Sequence, residues 1–282
     1  MQKIVAIFDG LRLSESTLHY AILIAKEQQA HLTGVFPDDF TYNSFNLYQL
    51  LKVGTDQATI GQLEAVDKGR REAAAGIFEA ACQRAGIAYS VHHNRNISLL
   101  EALEESIYAD LLIVDAQETF VHDEMKPPTR FIRDLLTDIQ CPVLIVPPQI
   151  LAPAVFSDIS NIVFLYDGEP SSVYAIKMYG YLLPFLQKLP TTVLSVNPMG
   201  NHLANKQLVM DFIKRHFPHA GYKVMEGVPE EEIVNYLLEQ AQGALIVLGA
   251  YRRSMVSRWF RESMADVLME RLSAPLFIAH NK

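Results

Sequence analysis

The sequence predicts an α/β protein made of two tandem, doubly wound, parallel-sheet domains of five strands each. Three observations carry this. Short β-branched apolar runs alternate with helical patterns along the whole chain. The opening segment Ile4-Val5-Ala6-Ile7-Phe8-Asp9-Gly10, followed by Ser14, recurs as Ile162-Val163-Phe164-Leu165-Tyr166-Asp167-Gly168, followed by Ser172, every pair at one offset of 158 residues. The closing segment Cys141-Pro142-Val143-Leu144-Ile145-Val146 recurs as Ala274-Pro275-Leu276-Phe277-Ile278-Ala279 at an offset of 133. The second copy is thus about 25 residues shorter, mainly between Pro37 and Leu63. A repeat this long marks duplicated domains rather than a solenoid.

In the first copy, residues 4–8, 31–36, 87–92, 111–114 and 143–146 read as buried parallel strands. Leu18, Ala21, Ile22 and Ala25 fall on one helical face, as do Leu63, Val66, Ala73, Ala74, Ile77, Phe78 and Ala81. Ser98-Leu99-Leu100-Glu101 has the spacing of a capping box opening the third helix, with Leu103 and Ile107 continuing its apolar face. Thr129 is placed to cap a fourth helix that packs through Ile132, Leu135 and Leu136. The second copy repeats this with strands 162–166, 192–196, 222–226, 244–248 and 276–279. Its third helix starts at Pro229, with Glu230, Glu231 and Glu232 complementing the dipole in the first turn. Pro147-Pro148-Gln149 to Pro153 reads as the linker, giving domains over 1–148 and 154–282. The segment 38–60, with Tyr42, Phe45, Tyr48 and Leu50, is an insertion expected to pack its own aromatics; a lid or contact surface is the alternative.

Composition narrows the function. A net charge of −8 gives no global attraction to nucleic acid or to an anionic membrane, so an anion site must be a local basic cluster. No apolar run approaches the roughly 20 residues of a spanning helix. The chain opens directly on a buried strand rather than a signal peptide, so a cytoplasmic location is expected. The two cysteines, Cys82 and Cys141, have no metal-type spacing and read as inert core thiols. His92-His93 and His122-Asp123-Glu124 do not suggest a metal centre, because adjacent strand residues point to opposite faces.

Chemistry is expected beyond the carboxyl ends of the strands, where strand order reverses. Asp9 and Asp167 follow the first strand of each copy and face that crevice. They are placed either to hydrogen-bond a polar ligand such as a base or ribose, or to satisfy the turn before Gly10 and Gly168. The segment from Leu245 to Leu268 reads as strand, a turn at Gly249, a loop, and a helix capped by Ser263 with Asp266 three residues on. A helix N-terminus after a glycine turn offers free N–H groups to a phosphate. Arg252, Arg253, Arg258 and Arg261, interleaved with Trp259 and Phe260, form the one dense basic cluster. It suits an anion pocket, a protein-docking surface anchored by Trp259, or a solvated loop.

On these residues the sequence resembles the universal stress protein family, whose domains are UspA-like. The carriers are the opening strand with Asp167, the Gly249 turn with its Arg-Ser, the Ser263-Met264-Ala265-Asp266-Val267-Leu268 helix start and the closing Ala274–Ala279 strand. The resemblance implies a Rossmann-like nucleotide-binding fold, a stress-response role, and pairing of domains through their last strands, here 143–146 with 276–279. It implies a site for ATP or another adenine nucleotide, or a small anion, built from Asp167, Val196, Gly249, Arg252, Arg253 and Ser263. ATP-binding members carry Gly, two residues, Gly, nine residues, then Gly and Ser or Thr. Gly249 and Ser263 match, whereas Arg252 and Glu262 stand where the second and third glycines belong. A carboxylate beside the phosphate position repels the ligand, so any nucleotide binding should be weak.

In the first copy Asp115 stands where Gly249 stands in the second, followed by Ala116-Gln117-Glu118-Thr119 and then Asp123 and Glu124. Phosphate binding there is not expected. No Gly-x-x-x-x-Gly-Lys-Ser/Thr loop and no Gly-x-Ser-x-Gly nucleophile turn is present, so catalysis is not expected either. Two readings remain. One is a regulatory nucleotide- or anion-binding protein whose second copy alone binds. The other is a ligand-free interaction module whose two copies pair as a built-in dimer, with a homodimer of the chain or a protein partner also open.

Overall fold

The computed structural model describes residues 2–39, 42–93, 96–121, 126–148, 159–198, 200, 202–249 and 263–281. The first half contains β1 (Lys3–Ile7), α1 (Glu15–Gln28), β2 (His31–Val35), α2 (Leu47–Lys52), α3 (Gln57–Ala85), β3 (Tyr89–His92), α4 (Ser98–Ile107), β4 (Leu111–Asp115), α5 (Arg130–Asp138) and β5 (Val143–Val146). The second contains β6 (Asn161–Leu165), α6 (Pro170–Leu182), β7 (Thr191–Asn197), α7 (Lys206–His216), β8 (Gly221–Glu226), α8 (Pro229–Gln240), β9 (Ala244–Leu248), α9 (Met264–Arg271) and β10 (Leu276–Ile278).

The ten strands form one sheet, in the order β3-β2-β1-β4-β5-β10-β9-β6-β7-β8. Every neighbouring pair is parallel except β5 with β10, which run antiparallel with Leu144 opposite Phe277. The two fivefold units expected from the repeat therefore merge into a single sheet at their last strands. Alternation along the strands sends Ile4, Ala6, Leu144 and Phe277 into a core layer beneath α1, α3, α6 and α7. Val5, Ile7, Val143 and Ile278 enter the layer beneath α4, α5, α8 and α9. Each layer continues across the seam. An ion pair between Arg133 on α5 and Asp266 on α9, at 3.7 Å, crosses it too.

The strands lie within about two residues of the sequence reading, and the shifts have local causes. β3 starts at Tyr89 rather than Ile87, because α3 ends in Gly86 at φ 67° and the Ile87 amide closes the helix on the Cys82 carbonyl. Thr129 caps α5 by accepting from the Ile132 amide. Ile132, Leu135 and Leu136 are buried as expected.

Two helix readings are corrected. Ser98 does not cap α4; Ile97 holds that position, and the Ser98 amide and hydroxyl both donate to Asp39 Oδ2 at 2.9 Å. An acid from beyond β2 thus satisfies the helix start, an arrangement no local spacing encodes. Ile107 is exposed. On α3 the buried face is Ile60, Asp67, Ala74, Ala75, Phe78, Ala81 and Cys82, leaving Val66 and Ile77 half exposed. The buried Asp67 accepts from the Ser44 amide and hydroxyl, so the inserted segment docks on α3 through a polar contact.

Within that segment Tyr42 is buried, Phe45 half-buried and Tyr48 exposed, and α2 buries none of its residues. The buried Tyr42 packs edge-on against Phe120, outside the segment. Among the described residues no helix is long and apolar enough to cross a membrane. Both cysteines are buried, and burial pushes the Cys82 thiol up to about 12.

Candidate functional site

Strand order reverses twice, at β1 between β2 and β4 and at β6 between β7 and β9, so each half has a switch-point crevice. The second is the one at which the sequence reading placed its site. Leu165 is level with Leu194 on β7, and Phe164 with Val247 on β9. Carried two residues onward, Asp167 is level with Val196, with Gly249 one step below on the other side. β10 is parallel to β9, so α9 between them runs back down the sheet and its N-terminus lies at this same end. The register thus brings Asp167, Val196, Gly249 and Ser263 to one edge. Arg252, Arg253, Arg258, Trp259, Phe260, Arg261 and Glu262 lie outside the described residues, as do His122, Asp123 and Glu124.

Asp167 is exposed, and its Oδ1 accepts the Glu169 amide at 2.9 Å. It performs the turn role expected of it and remains exposed to solvent. Ser263 caps α9, accepting the Ala265 amide at 3.3 Å. Gly249 has a packing reason of its own. A Cβ there would lie 2.5 Å from the Ser171 carbonyl carbon and 2.7 Å from the Ser172 amide. The first turn of α6 therefore rests directly on this glycine. Gly249→Ala should destabilise the protein by about 1–3 kcal/mol through overpacking against backbone. Urea unfolding measures this, and an unchanged midpoint would mean that α6 can move aside freely.

The first crevice meets the same demand differently, and its interior is filled by the chain itself. Where Gly249 carries α6, Asp115 accepts the hydroxyl of Ser14, the cap of α1, at 2.6 Å. Asp9 is buried and accepts three donors: the Leu11 amide at 2.8 Å, Arg12 Nε at 3.2 Å and the Tyr42 hydroxyl at 2.7 Å. Arg12 also donates to Thr119 Oγ1 at 2.7 Å and the Val121 carbonyl at 3.0 Å. Its guanidinium sits 5.9 Å from the Tyr42 ring centre. Phe120 packs edge-on against that ring and against Phe131.

Glu118 is buried in the same cluster. Burial first, then the charges of Asp9 and Asp115, hold its carboxyl well above the usual range, with Arg12 opposing. Burial also raises Asp115, against the hydrogen bonds from Ser14 and Gln117. Burial and the neighbouring Asp9 raise the Tyr42 phenol. The sequence reading singled out Asp9 but missed Arg12 and Tyr42. The available signal was Arg12, two residues beyond Gly10, where the second copy has Pro170 beyond Gly168.

Beyond the plug, the inserted segment roofs a cavity of about 630 Å3 between α3 and the ends of β2 and β3. Its charges are largely committed: Asp39 to Ser98, and Arg71 to Asp38 at 3.6 Å and to the Tyr42 carbonyl at 2.7 Å. His92 pairs with Glu105 and the His93 ring lies tilted against Phe36, so the two histidines diverge.

No protein-family model and no curated protein matches the sequence. Among solved structures the chain is similar to a universal stress protein from Archaeoglobus fulgidus DSM 4304, with a TM-score of 0.69 at 12% identity, over 99% of this chain and 98% of that one. It is also similar to a functionally unknown protein from Pseudomonas aeruginosa PAO1, with a TM-score of 0.58 at 15% identity, over 99% and 92% of the two chains. At such identities the likeness is one of architecture, and it spans both halves and the seam between them. Over its whole length, the chain has the fold of a universal stress protein.

Proposed function

We propose that the protein is a regulatory protein of the universal stress protein type, non-enzymatic and cytoplasmic, which takes an adenine nucleotide or another small anion in its second crevice and none in its first. The observation that carries this reading is the contrast between two equivalent aspartates. Asp9 is buried beneath Tyr42 and Arg12, whereas Asp167 is exposed at the mouth of its crevice. A base or ribose has a carboxylate to meet in the second half and a filled space in the first. Ser263 supports the reading further, because its helix start lies at the same edge.

The test is to denature the purified full-length protein, assay released nucleotide, and titrate the stripped protein with ATP. Asp167→Ala should weaken ATP binding. Glu262→Gly should tighten it about tenfold, since removing a carboxylate near the phosphate relieves roughly 1–2 kcal/mol of repulsion after solvent screening. Absence of ATP binding by all three proteins would overturn the reading. The interaction-module reading would then gain; it is favoured by the antiparallel joining of β5 and β10 and by the exposed Tyr48, Leu51 and Val53 around α2.

A further inference from the structure

A second cavity, of about 550 Å3, lies in the cleft between α6 and α7; Tyr166 and Gly168, which flank Asp167, line it, whereas Asp167, Val196, Gly249 and Ser263 do not. Its origin is the shortening of the second copy. In the first half the space beside α1 is taken by the 29-residue α3, with Arg71 against Gly10 and Phe78 against Gly34. In the second half α7 has 11 residues, and Gly168, the counterpart of Gly10, lines the open cleft. The walls come from Tyr166, Val173, Tyr174, Leu208, Val209 and Phe212. Lys177, one helical turn beyond Val173 and Tyr174, is the single charged side chain among the described lining residues. It makes no ion pair among the described residues.

This lining selects a ligand class. A mostly apolar cleft of a few hundred Å3 with few polar groups is the build of a small-molecule site. Three aromatic rings favour a planar ring that stacks or meets them edge-on. One ammonium with no carboxylate among the described lining residues favours a single negative charge, and the amides of Asn205 and Asn281 add hydrogen-bonding groups. A cation finds no partner here, and a triphosphate would leave most of its charge unmatched. We infer that the α6–α7 cleft binds a small aromatic carboxylate, with its ring against Tyr166, Tyr174 and Phe212 and its carboxylate on Lys177.

Naphthoate is a suitable probe, with naphthylmethanol as its neutral counterpart. Calorimetric titration of the full chain should give saturable naphthoate binding with Kd below about 1 mM, and about fivefold to tenfold weaker binding of naphthylmethanol. Lys177→Gln should abolish the difference between the two. Phe212→Ala should weaken both; should that variant unfold, the exposed Lys177 still decides the matter. Saturating ATP should not displace naphthoate, which separates this cleft from the nucleotide crevice. No saturable binding, a preference for naphthoate that survives Lys177→Gln, or displacement by ATP would each overturn the proposal.

Discussion

Phe277→Ala should destabilise the whole protein by about 3–5 kcal/mol, the range for removing a large ring from a close-packed core. Phe277 is fully buried on a strand of three residues that hydrogen-bonds β9 on one side and β5 on the other. Its ring centre lies 5.9 Å from that of Tyr179. The loss should appear in both halves at once, because the layer containing Phe277 runs from Ile4 in β1 to Leu245 in β9. Urea unfolding should show one shifted transition by far-UV circular dichroism and by tyrosine fluorescence. Leu144→Ala on the opposing strand should couple to it, with a double-mutant cycle giving about 0.5–3 kcal/mol. Leu208→Ala, on the exposed face of α7, should stay within about 0.5 kcal/mol of wild type. Two separated transitions in the Phe277 variant would show that the halves fold independently and that the seam adds little.

The strands were legible because they rest on patterns that sequence carries directly, whereas the join at the seam was expected from the family resemblance. Val143-Leu144-Ile145-Val146 and Ala244-Leu245-Ile246-Val247-Leu248 are continuous apolar runs, and strands buried on both faces require such runs. Thr129 and Ser263 were legible as caps because a cap acts on an amide two or three residues away. Ser98 looked equally convincing and failed, because Asp39, 59 residues upstream, supplies the acceptor instead. The stripe on α3 held at Ala74, Phe78 and Ala81 and failed at Val66 and Ile77 for a related reason. The segment that covers it docks through Asp67 and Ser44, so Val66 and Ile77 stay outside the buried face.

The two crevices show the same division. Gly249 drew attention as part of a phosphate loop, yet the contact it makes is with the backbone of α6, where any Cβ would collide. A glycine in sequence reports that something approaches closely, without saying whether it is a phosphate or a helix. In the first half, acidic residues after Asp115 argued against a phosphate. They gave no sign that Arg12 and Tyr42 fill the space, since those side chains come from a turn and an insertion 107 and 77 residues from Thr119. Only the fold places them together.

The plug makes the first crevice sensitive to pH, and Arg12 is the residue on which this depends. Asp9, Asp115 and Glu118 are all buried, and Arg12 is the cation in contact with the cluster among the described residues. Glu118 and Asp115 have carboxyls raised by burial in the folded protein. A raised carboxyl favours the protonated folded state. Its stabilisation is therefore fully present below the ordinary carboxylate range and lost as pH rises through the folded value. Arg12→Met removes the one charge that opposes this at Glu118, so the folded value of Glu118 should climb further and the loss should grow. At pH 8 the variant should be less stable than wild type by about 2–3 kcal/mol, at the lower end for a broken buried pair because the guanidinium is partly exposed. Near pH 5 the difference should shrink, since Glu118 can take up a proton. Adding Glu118→Gln should restore part of the stability at pH 8 and little at pH 5, because the amide keeps an acceptor for the Thr119 amide and removes the charge. Urea midpoints of the single and double variants at both pH values decide the matter. A loss of equal size at pH 5 and pH 8, with no recovery in the double variant, would mean that Arg12 holds the plug by packing and hydrogen bonds to Thr119 and Val121 rather than by its charge.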